Sequence, residues 1–266
     1  YYPQIYKGIK KAVKNGQWEL QGGMWVEADC NLISGESMVR QLIHGKNFFM
    51  DEFGVEVDNL WLPDVFGYSA ALPQILRKSG VNYFLTQKLS WSQYNEFPHH
   101  TFNWRGIDGS EVLTHFPPEN TYNSELDTEF LIPAQKHFKE KAYLDEFISL
   151  FGVGNGGGGP KPENIELGHR MSNLESSPKV KFDLARNFFK RLDKNKESLE
   201  TWAGELYLEL HRGTLTTHGL VKKQNRKLEI KLRNVEIFWS CLDIDLYPSK
   251  ELDALWKKLL INQFHD

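Results

Sequence analysis

Apolar residues recur along most of the chain at helical spacing. Near the amino end, Ile5, Ile9 and Val13 lie four residues apart with lysines between them, which predicts an amphipathic helix that ends at the Asn-Gly pair of residues 15–16. The same periodicity predicts further helices at 34–53, 72–79, 162 onward, 184–192, 217–238 and 252–264.

Short apolar runs bounded by turn residues predict strands. The runs are WELQGGMWVE (18–27), which a glycine pair interrupts, NLWLPD (59–64), VNYFLTQ (81–87), HTFNWRG (100–106), EVLTHFP (111–117) and FISLFGVG (147–154). The polar segment 119–142 is predicted to be irregular. Because strands and helices alternate as far as about Asp183, we predict an α/β fold with a mainly parallel sheet. From Thr217 the spacing is helical only, which predicts the start of a helical domain.

Composition narrows the class of protein. The 266 residues are 40% hydrophobic and 25% charged, as in globular proteins, and no apolar run approaches the length of a membrane span. A net charge of −3 gives no basic face for nucleic acid. Cys30 and Cys241 stand alone, which favours a reducing compartment, the cytoplasm. The chain begins at Tyr1 without a methionine and ends at Asp266 directly after an apolar run, so we expect both ends to lie inside a longer protein.

The loop FGVGNGGGGP (151–160) combines almost no side chains with one asparagine. It is not a phosphate-binding P-loop, because Pro-Lys-Pro (160–162) follows where Lys-Ser or Lys-Thr is needed. Gly152, Gly154 and Gly157 match a dinucleotide fingerprint, but no acidic residue follows at the required distance. A flexible surface loop and a site at the end of a strand both remain open.

Two further residues are candidates for chemistry. Asp64 follows an apolar strand, where α/β domains place their active sites, although an aspartate is also a common helix cap. His265 ends the apolar run 259–264, where a packed or capping histidine is the alternative to a metal ligand.

Taken together, eight stretches resemble glycoside hydrolase family 38, the retaining α-mannosidases, and in particular its cytosolic-type branch. They occur in the family's order along the whole chain. They are GGMWVEADCNLISGESMVRQ (22–41), WLPDVFGYSAALPQILRKSG (61–80), FLTQKLSW (84–91), FPHHTFNWRG (97–106), THFPPENTY (114–122), FGVGNGGGGP (151–160), GELYLELHRGTLTTH (204–218) and LLINQFHD (259–266).

The resemblance implies a domain organisation. Residues 1–205 would form the catalytic domain, a partial seven-stranded α/β barrel that lacks its first strand. Residues 206–266 would begin a helical domain, a three-helix bundle, which large β domains follow in the family. The implied activity is hydrolysis of terminal α-linked mannose from oligosaccharides or glycans, and the implied partner is that substrate rather than nucleic acid or a membrane. The linkage and any homo-oligomer are left open.

The resemblance also implies a divalent metal, usually Zn²⁺. By motif match, Asp64 would be the nucleophile and a metal ligand, and His265 a second ligand. The resemblance places the family's His-x-Asp pair upstream of Tyr1. No His-x-Asp occurs in this chain, so two of the four implied ligands are absent from it, and we expect the chain alone to be inactive. Trp25 and Tyr122 are candidates for sugar contact, with packing as the alternative.

One position departs from the family. The resemblance places an aspartate, the acid/base, where this chain has Asn155. An amide has no titratable proton and cannot protonate the glycosidic oxygen, a loss that typically costs about 10²–10⁴ in rate. Either another carboxyl replaces it, with Glu27 and Asp29 as the first candidates, or the protein is a mannoside-binding or catalytically impaired homologue.

Overall fold

The computed structural model describes residues 2–154 and 158–266. The helices in these residues are α1 (Pro3–Lys14), α2 (Gly35–Phe53), α3 (Leu72–Lys78), α4 (Thr128–His137), α5 (Pro162–Arg170), α6 (Ala185–Leu192), α7 (Gly219–Ser240) and α8 (Ser249–Ile261). The strands are β1 (Asn59–Trp61), β2 (Tyr83–Leu85), β3 (Thr101–Arg105), β4 (Glu111–His115) and β5 (Thr201–Ala203). None of these helices combines the length and the apolar composition that crossing a bilayer requires.

The strands form one sheet in the order β1-β2-β4-β3-β5. Three of its pairings are parallel, and β3 and β4 pair antiparallel. The antiparallel pair follows from its connection, because the five residues 106–110 suffice for a hairpin but not for a crossover. The predicted α/β fold with a mainly parallel sheet is confirmed. The described residues contain five strands, so the seven-stranded barrel and the three-helix bundle remain predictions.

The sheet separates two apolar layers, because successive strand side chains point to opposite faces. In β2, Phe84 belongs to the larger cluster, which also includes Leu42 of α2 and Leu72 of α3. Its neighbours Tyr83 and Leu85 belong to a second cluster with α6. Tyr83 stacks there on Phe189, with ring centroids 5.0 Å apart. The sheet is therefore covered on both faces, as expected of parallel strands.

The strand predicted at 18–27 is wrong. Gly22 and Gly23 adopt φ values of +104° and +73°, which interrupt an extended strand. The backbone of Trp25 donates to the carbonyl of Gln41 in α2, and not to a neighbouring strand. This segment is therefore an irregular stretch that lies along α2.

The strand predicted at 147–154 is also wrong. Its apolar side chains Phe147, Ile148 and Leu150 pack against the second cluster, which explains the apolar pattern. Among the described residues, however, its backbone forms no ladder, only one isolated antiparallel bridge between Val153 and Gly158. The Ile148 amide donates to the ring of His115, and the Leu150 carbonyl accepts from the Ser124 amide.

Two elements were not predicted. Helix α4 lies inside the segment predicted to be irregular, where Asp127 caps it by accepting from the amides of Glu129 and Phe130 at 2.9 and 3.1 Å. Strand β5 was missed because it has only three residues and alternates between exposed and half-buried positions. The helices predicted after Thr217 are confirmed as α7 and α8, which pack through Leu232 and Trp256.

Helix α2 lies directly on the irregular stretch. Ser34 accepts from the amide of Ser37 at its start, and Gly54 closes it in the left-handed conformation, as predicted. At Gly45, a Cβ atom would lie 2.3 Å from the carbonyl carbon of Met24, so the helix contacts the backbone of that stretch without any side chain between them.

We expect Gly45→Ala to lower the free energy of unfolding by about 1–3 kcal/mol, because the added methyl group overlaps the Met24 backbone. Gly8→Ala in α1 is the matched control, since nothing lies within 4 Å of its Cβ position. That change should be neutral or stabilise by up to about 1 kcal/mol. Urea unfolding measures both. Equal stability of the two variants would contradict the close contact.

Candidate active site

Asp64 lies three residues beyond the carboxyl end of β1. Its Oδ1 accepts a hydrogen bond from the Nζ of Lys88 at 2.6 Å, and its side chain is 27% exposed. Helix α3 begins at Leu72 with Ala71 at its cap position, so Asp64 does not cap that helix. The carboxylate instead faces a cleft at the carboxyl end of the strand, where α/β sheets bind ligands.

Lys88 was not among the residues predicted to matter. It follows β2, and because β1 and β2 are parallel neighbours, their carboxyl ends bring Lys88 and Asp64 together. The lysine is 3% exposed, and its ammonium lies 3.9 Å from the ring centre of Trp91. A buried ammonium needs a countercharge, and Asp64 supplies it. The available sequence signal was a lysine placed directly after an apolar strand.

His265 is held by a pairing between two distant segments. Its backbone amide donates to the Glu27 carbonyl at 3.1 Å, and its ring Nδ1 contacts the same oxygen at 2.9 Å. Beside it, Ala28 and Phe264 form an antiparallel bridge. The amide of Asp29 donates to the Gln263 carbonyl at 2.8 Å. The histidine is therefore fixed at both its backbone and its ring.

The contact assigns different roles to the two ring nitrogens of His265. A carbonyl oxygen can only accept a hydrogen bond, so Nδ1 is the donor to Glu27, and Nε2 is the nitrogen left for another partner. The side chain is 3% exposed, and within the described residues Nε2 has no hydrogen-bond partner. It lies 4.0 Å from Oδ2 of Asp64, beyond hydrogen-bond range.

This geometry fits two ligands of a divalent metal. A carboxylate oxygen and an imidazole nitrogen are both common Zn²⁺ donors, and a ring whose second nitrogen donates to a carbonyl is typical of metal-binding histidines. The fit is supported by the buried Nε2, which has no hydrogen-bond partner in the part of the chain that the structure describes. In residues 2–154 and 158–266, no three His, Cys, Asp or Glu side chains converge on one point, so the described residues do not complete a metal site.

The cleft has a volume of about 1280 Å³, which is ample for an oligosaccharide end. Asp64, Tyr122 and His265 line it. Burial raises the pKa of Tyr122 above its usual value, and the neighbouring Asp64 carboxylate raises it further. The structure therefore brings three of the predicted site residues together.

Glu27 also lines this cleft. Burial raises the pKa of its carboxyl, the Asp64 and Asp266 carboxylates add to the rise, and His265 opposes it. Asp29, the other carboxyl considered from sequence, does not line the cleft in the part of the chain that is described. Its Oδ1 instead accepts from the amides of Asn31 and Leu32 at 2.8 and 2.6 Å, forming a local turn.

Trp25 packs away from the cleft. Its ring makes edge contacts with His44 and Phe48 of α2, each with centroids 6.2 Å apart, and the Nζ of Lys257 lies 5.6 Å from its ring centre. Among the described residues that line the cleft, Trp25 does not occur.

Asn155 lies outside the described residues. Gly154, which precedes it in the chain, lines the cleft. The Gly154 amide donates to the Asn123 side chain at 2.7 Å, and a Cβ at this position would lie 2.3 Å from the Tyr122 ring. The glycine is therefore required for the close approach of this backbone to Tyr122.

Two family models match the chain. One described as "Glycosyl hydrolases family 38 N-terminal domain" matches residues 1–205, and one described as "Alpha mannosidase middle domain" matches residues 209–266. A crystal structure of an alpha-mannosidase from Enterococcus faecalis V583 shares the fold, with a TM-score of 0.77 at 21% identity over 99% of this chain and 31% of that one.

Curated relatives match the chain from end to end. Human alpha-mannosidase 2C1 is 47% identical over 269 residues, and alpha-mannosidase G of Dictyostelium discoideum is 45% identical over 267 residues. Both alignments cover 100% of this chain and 26% and 25% of the relatives, so the chain spans about a quarter of their length. Because the first family model covers most of its residues, and in agreement with the resemblance seen in the sequence, the chain belongs to glycoside hydrolase family 38.

Proposed function

We propose that the protein of which these residues are part is a retaining α-mannosidase that uses a divalent metal, Zn²⁺, and removes terminal α-linked mannose from oligosaccharides or glycans. The observation that carries the proposal is the 4.0 Å approach of Asp64 Oδ2 to His265 Nε2, which has no hydrogen-bond partner among the described residues, in a cleft that can hold a sugar. Membership of the family and relatives named alpha-mannosidase support it.

Asp64 has the position of a nucleophile with its two oxygens in different environments. Oδ1 is held by the buried Lys88, which keeps the side chain in one orientation and balances its charge. Oδ2 faces His265. In a retaining glycosidase such a carboxylate attacks the anomeric carbon while a second carboxyl, about 5–5.5 Å away, protonates the leaving oxygen.

His265 would share the metal with Asp64, and its fixed ring needs no reorientation to bind. A divalent ion at this point would bind and polarise hydroxyls of the mannose ring, which selects the sugar. Tyr122, on the same cleft, would contact the sugar through its ring. The cytoplasmic location remains a prediction based on two unpaired cysteines, Cys30 and Cys241.

Loss of the metal should abolish turnover of an aryl α-mannoside by the full-length protein, and Asp64→Ala should do the same. His265→Ala should weaken Zn²⁺ binding by more than the roughly 10–100-fold typical of residues that only support a ligand. His169→Ala, at an exposed histidine outside the cleft, is the control. Competition with a fluorescent chelator measures the affinities. Equal affinity of the two histidine variants would refute the role of His265.

Replacing Lys88 by methionine should lower kcat about 100-fold, because Asp64 loses the contact that fixes its orientation. Lys88→Arg retains a hydrogen-bond donor and a positive charge, so its kcat should fall less. Lys46→Met is the matched control, since Lys46 is also largely buried but bonds to the Ser79 carbonyl, away from the cleft. Steady-state kinetics at saturating Zn²⁺ compare the three. A normal kcat for Lys88→Met would contradict the positioning of Asp64 by Lys88.

A further prediction follows from Asn155, which the family resemblance places at the acid/base position. The parent protein should hydrolyse an activated aryl mannoside, whose leaving group needs no proton, far better than an unactivated disaccharide. Asn155→Asp should raise turnover of the disaccharide by about 10²–10⁴ and change the aryl substrate much less.

If Asn155→Asp changes the turnover of neither substrate, position 155 is not the acid site. Glu27→Gln then tests the Glu27 carboxyl on the cleft. Sugar binding with negligible turnover in the parent, restored by Asn155→Asp, would instead favour a mannoside-binding homologue.

A further inference from the structure

A buried polar cluster lies behind the segment that carries His265. Its members are Ser37 and Gln41 of α2, Glu229 of α7, and Gln263, which follows α8. Gln263 and Glu229 are only 2% and 4% exposed. A carboxylate at that depth is costly unless its oxygens are fully bonded, so the surrounding donors have to be placed accurately.

Glu229 accepts hydrogen bonds from the start of α2, from the segment after α8 and from its own helix. Its Oε1 accepts from the Ser34 amide at 2.9 Å, the Ser37 hydroxyl at 2.7 Å and the Gln263 side-chain amide at 3.0 Å. Its Oε2 accepts from Arg226, one turn earlier on α7, at 2.9 Å. Three neutral donors on one carboxylate oxygen form charge-assisted bonds that fix the start of α2 and the segment after α8 relative to α7.

The cluster reaches the metal ligand through Gln263, two residues before His265. The Gln263 side chain is held by Glu229 and by Ser37, each at 3.0 Å. Its backbone carbonyl accepts from the amide of Asp29, which is the next link in the pairing that ends at the contact between His265 and Glu27. Rotation or withdrawal of Gln263 would therefore shift the backbone of His265 directly.

Gln41 closes the cluster on the other side. Its side-chain amide donates to the Leu260 carbonyl at 3.0 Å, and its side-chain oxygen accepts from the Val26 amide at 3.2 Å. One glutamine thus contacts both the end of α8 and the irregular stretch that precedes Glu27. Both partners of the pairing that holds His265 are anchored to the same helix, α2.

We propose that Glu229 is a positioning residue for His265, acting through Gln263 from a helix that lies outside the cleft. The inference rests on the proposed function, because it assigns Glu229 to the metal site that His265 would help to form. It adds a residue that touches neither substrate nor metal, and that belongs to the part of the chain matched by the middle-domain model.

A second glutamate on the same helix separates positioning from general stability. Glu236 lies seven residues further along α7 and also bridges three helices. It accepts from Arg40 of α2 at 2.6 Å and from the Trp256 indole of α8 at 3.0 Å. It has no bond to residues 263–265 among those described. Truncating either glutamate removes a carboxylate that links α7 to α2 and to the region of α8, Glu229 being 4% and the Glu236 side chain 18% exposed, but only Glu229 is bonded to a residue near His265.

The test measures Zn²⁺ affinity and thermal stability of the full-length protein, well below its unfolding temperature. We expect Glu229→Ala and Gln263→Ala each to weaken Zn²⁺ binding about 10-fold or more, while Glu236→Ala stays within about 2-fold of the parent at a comparable loss of Tm. The variant that carries both the Glu229 and the Gln263 substitution should bind Zn²⁺ no more weakly than the more affected single variant, because the two residues act in series.

Two further measurements keep the result interpretable. Glu229→Gln still presents an oxygen to the three neutral donors, and Arg226 is exposed enough to turn away, so this variant should recover most of the affinity even if Glu229→Ala folds poorly. The visible absorption of bound Co²⁺ reports the ligand geometry, and it should change in Glu229→Ala but not in Glu236→Ala.

The outcomes are distinct. If His265→Ala leaves Zn²⁺ affinity unchanged, the metal assignment itself is wrong, and this inference is overturned with it. If His265→Ala weakens binding but Glu229→Ala and Gln263→Ala do not, only the positioning role is overturned. Equal losses of Zn²⁺ affinity in the Glu229 and Glu236 variants would show that the loss comes from general destabilisation, and would also overturn the positioning role of Glu229.

Discussion

The buried ion pair between Lys88 and Asp64 is the contact on which the candidate site depends. An ammonium that is 3% exposed cannot remain without a partner, so the carboxylate is held against it and only one of its oxygens stays available to the cleft. The parallel pairing of β1 and β2 makes this contact possible, because it places the residues that follow both strands side by side. The sheet thereby determines where the Asp64 carboxylate points.

The other half of the site comes from elements far away in sequence. Glu27 lies on an irregular stretch and His265 follows α8, and neither belongs to the sheet. They meet because α2 serves as a common support, with Gly45 against the irregular stretch and Gln41 bonded to both segments. A site assembled in this way is as rigid as the packing of α2, and its precision originates outside the cleft.

Periodicity predicted the elements that bury a regular face and failed elsewhere. It predicted α2, α7, α8 and β1–β4, because each has an apolar stripe or a pleat that faces one of the clusters. It misjudged 18–27 and 147–154, where apolar side chains pack without a ladder and the backbone bonds go to α2, to His115 and to Ser124. The periodicity of apolar residues indicates which side chains are buried, whereas the pairing of the backbone depends on tertiary context.

The site residues, too, were predicted only in part. Motif resemblance identified Asp64, His265 and Tyr122, which line one cleft, and also Trp25, which does not. Lys88 and Glu229 were not identified, because a buried charge can be recognised only when its partners are known. The contact between His265 and Glu27 spans 238 positions in the sequence. Closing a loop of that length costs roughly 5 kcal/mol of chain entropy, so the contact would form late in folding, and a nascent chain could place His265 in the cleft only once α8 had left the ribosome.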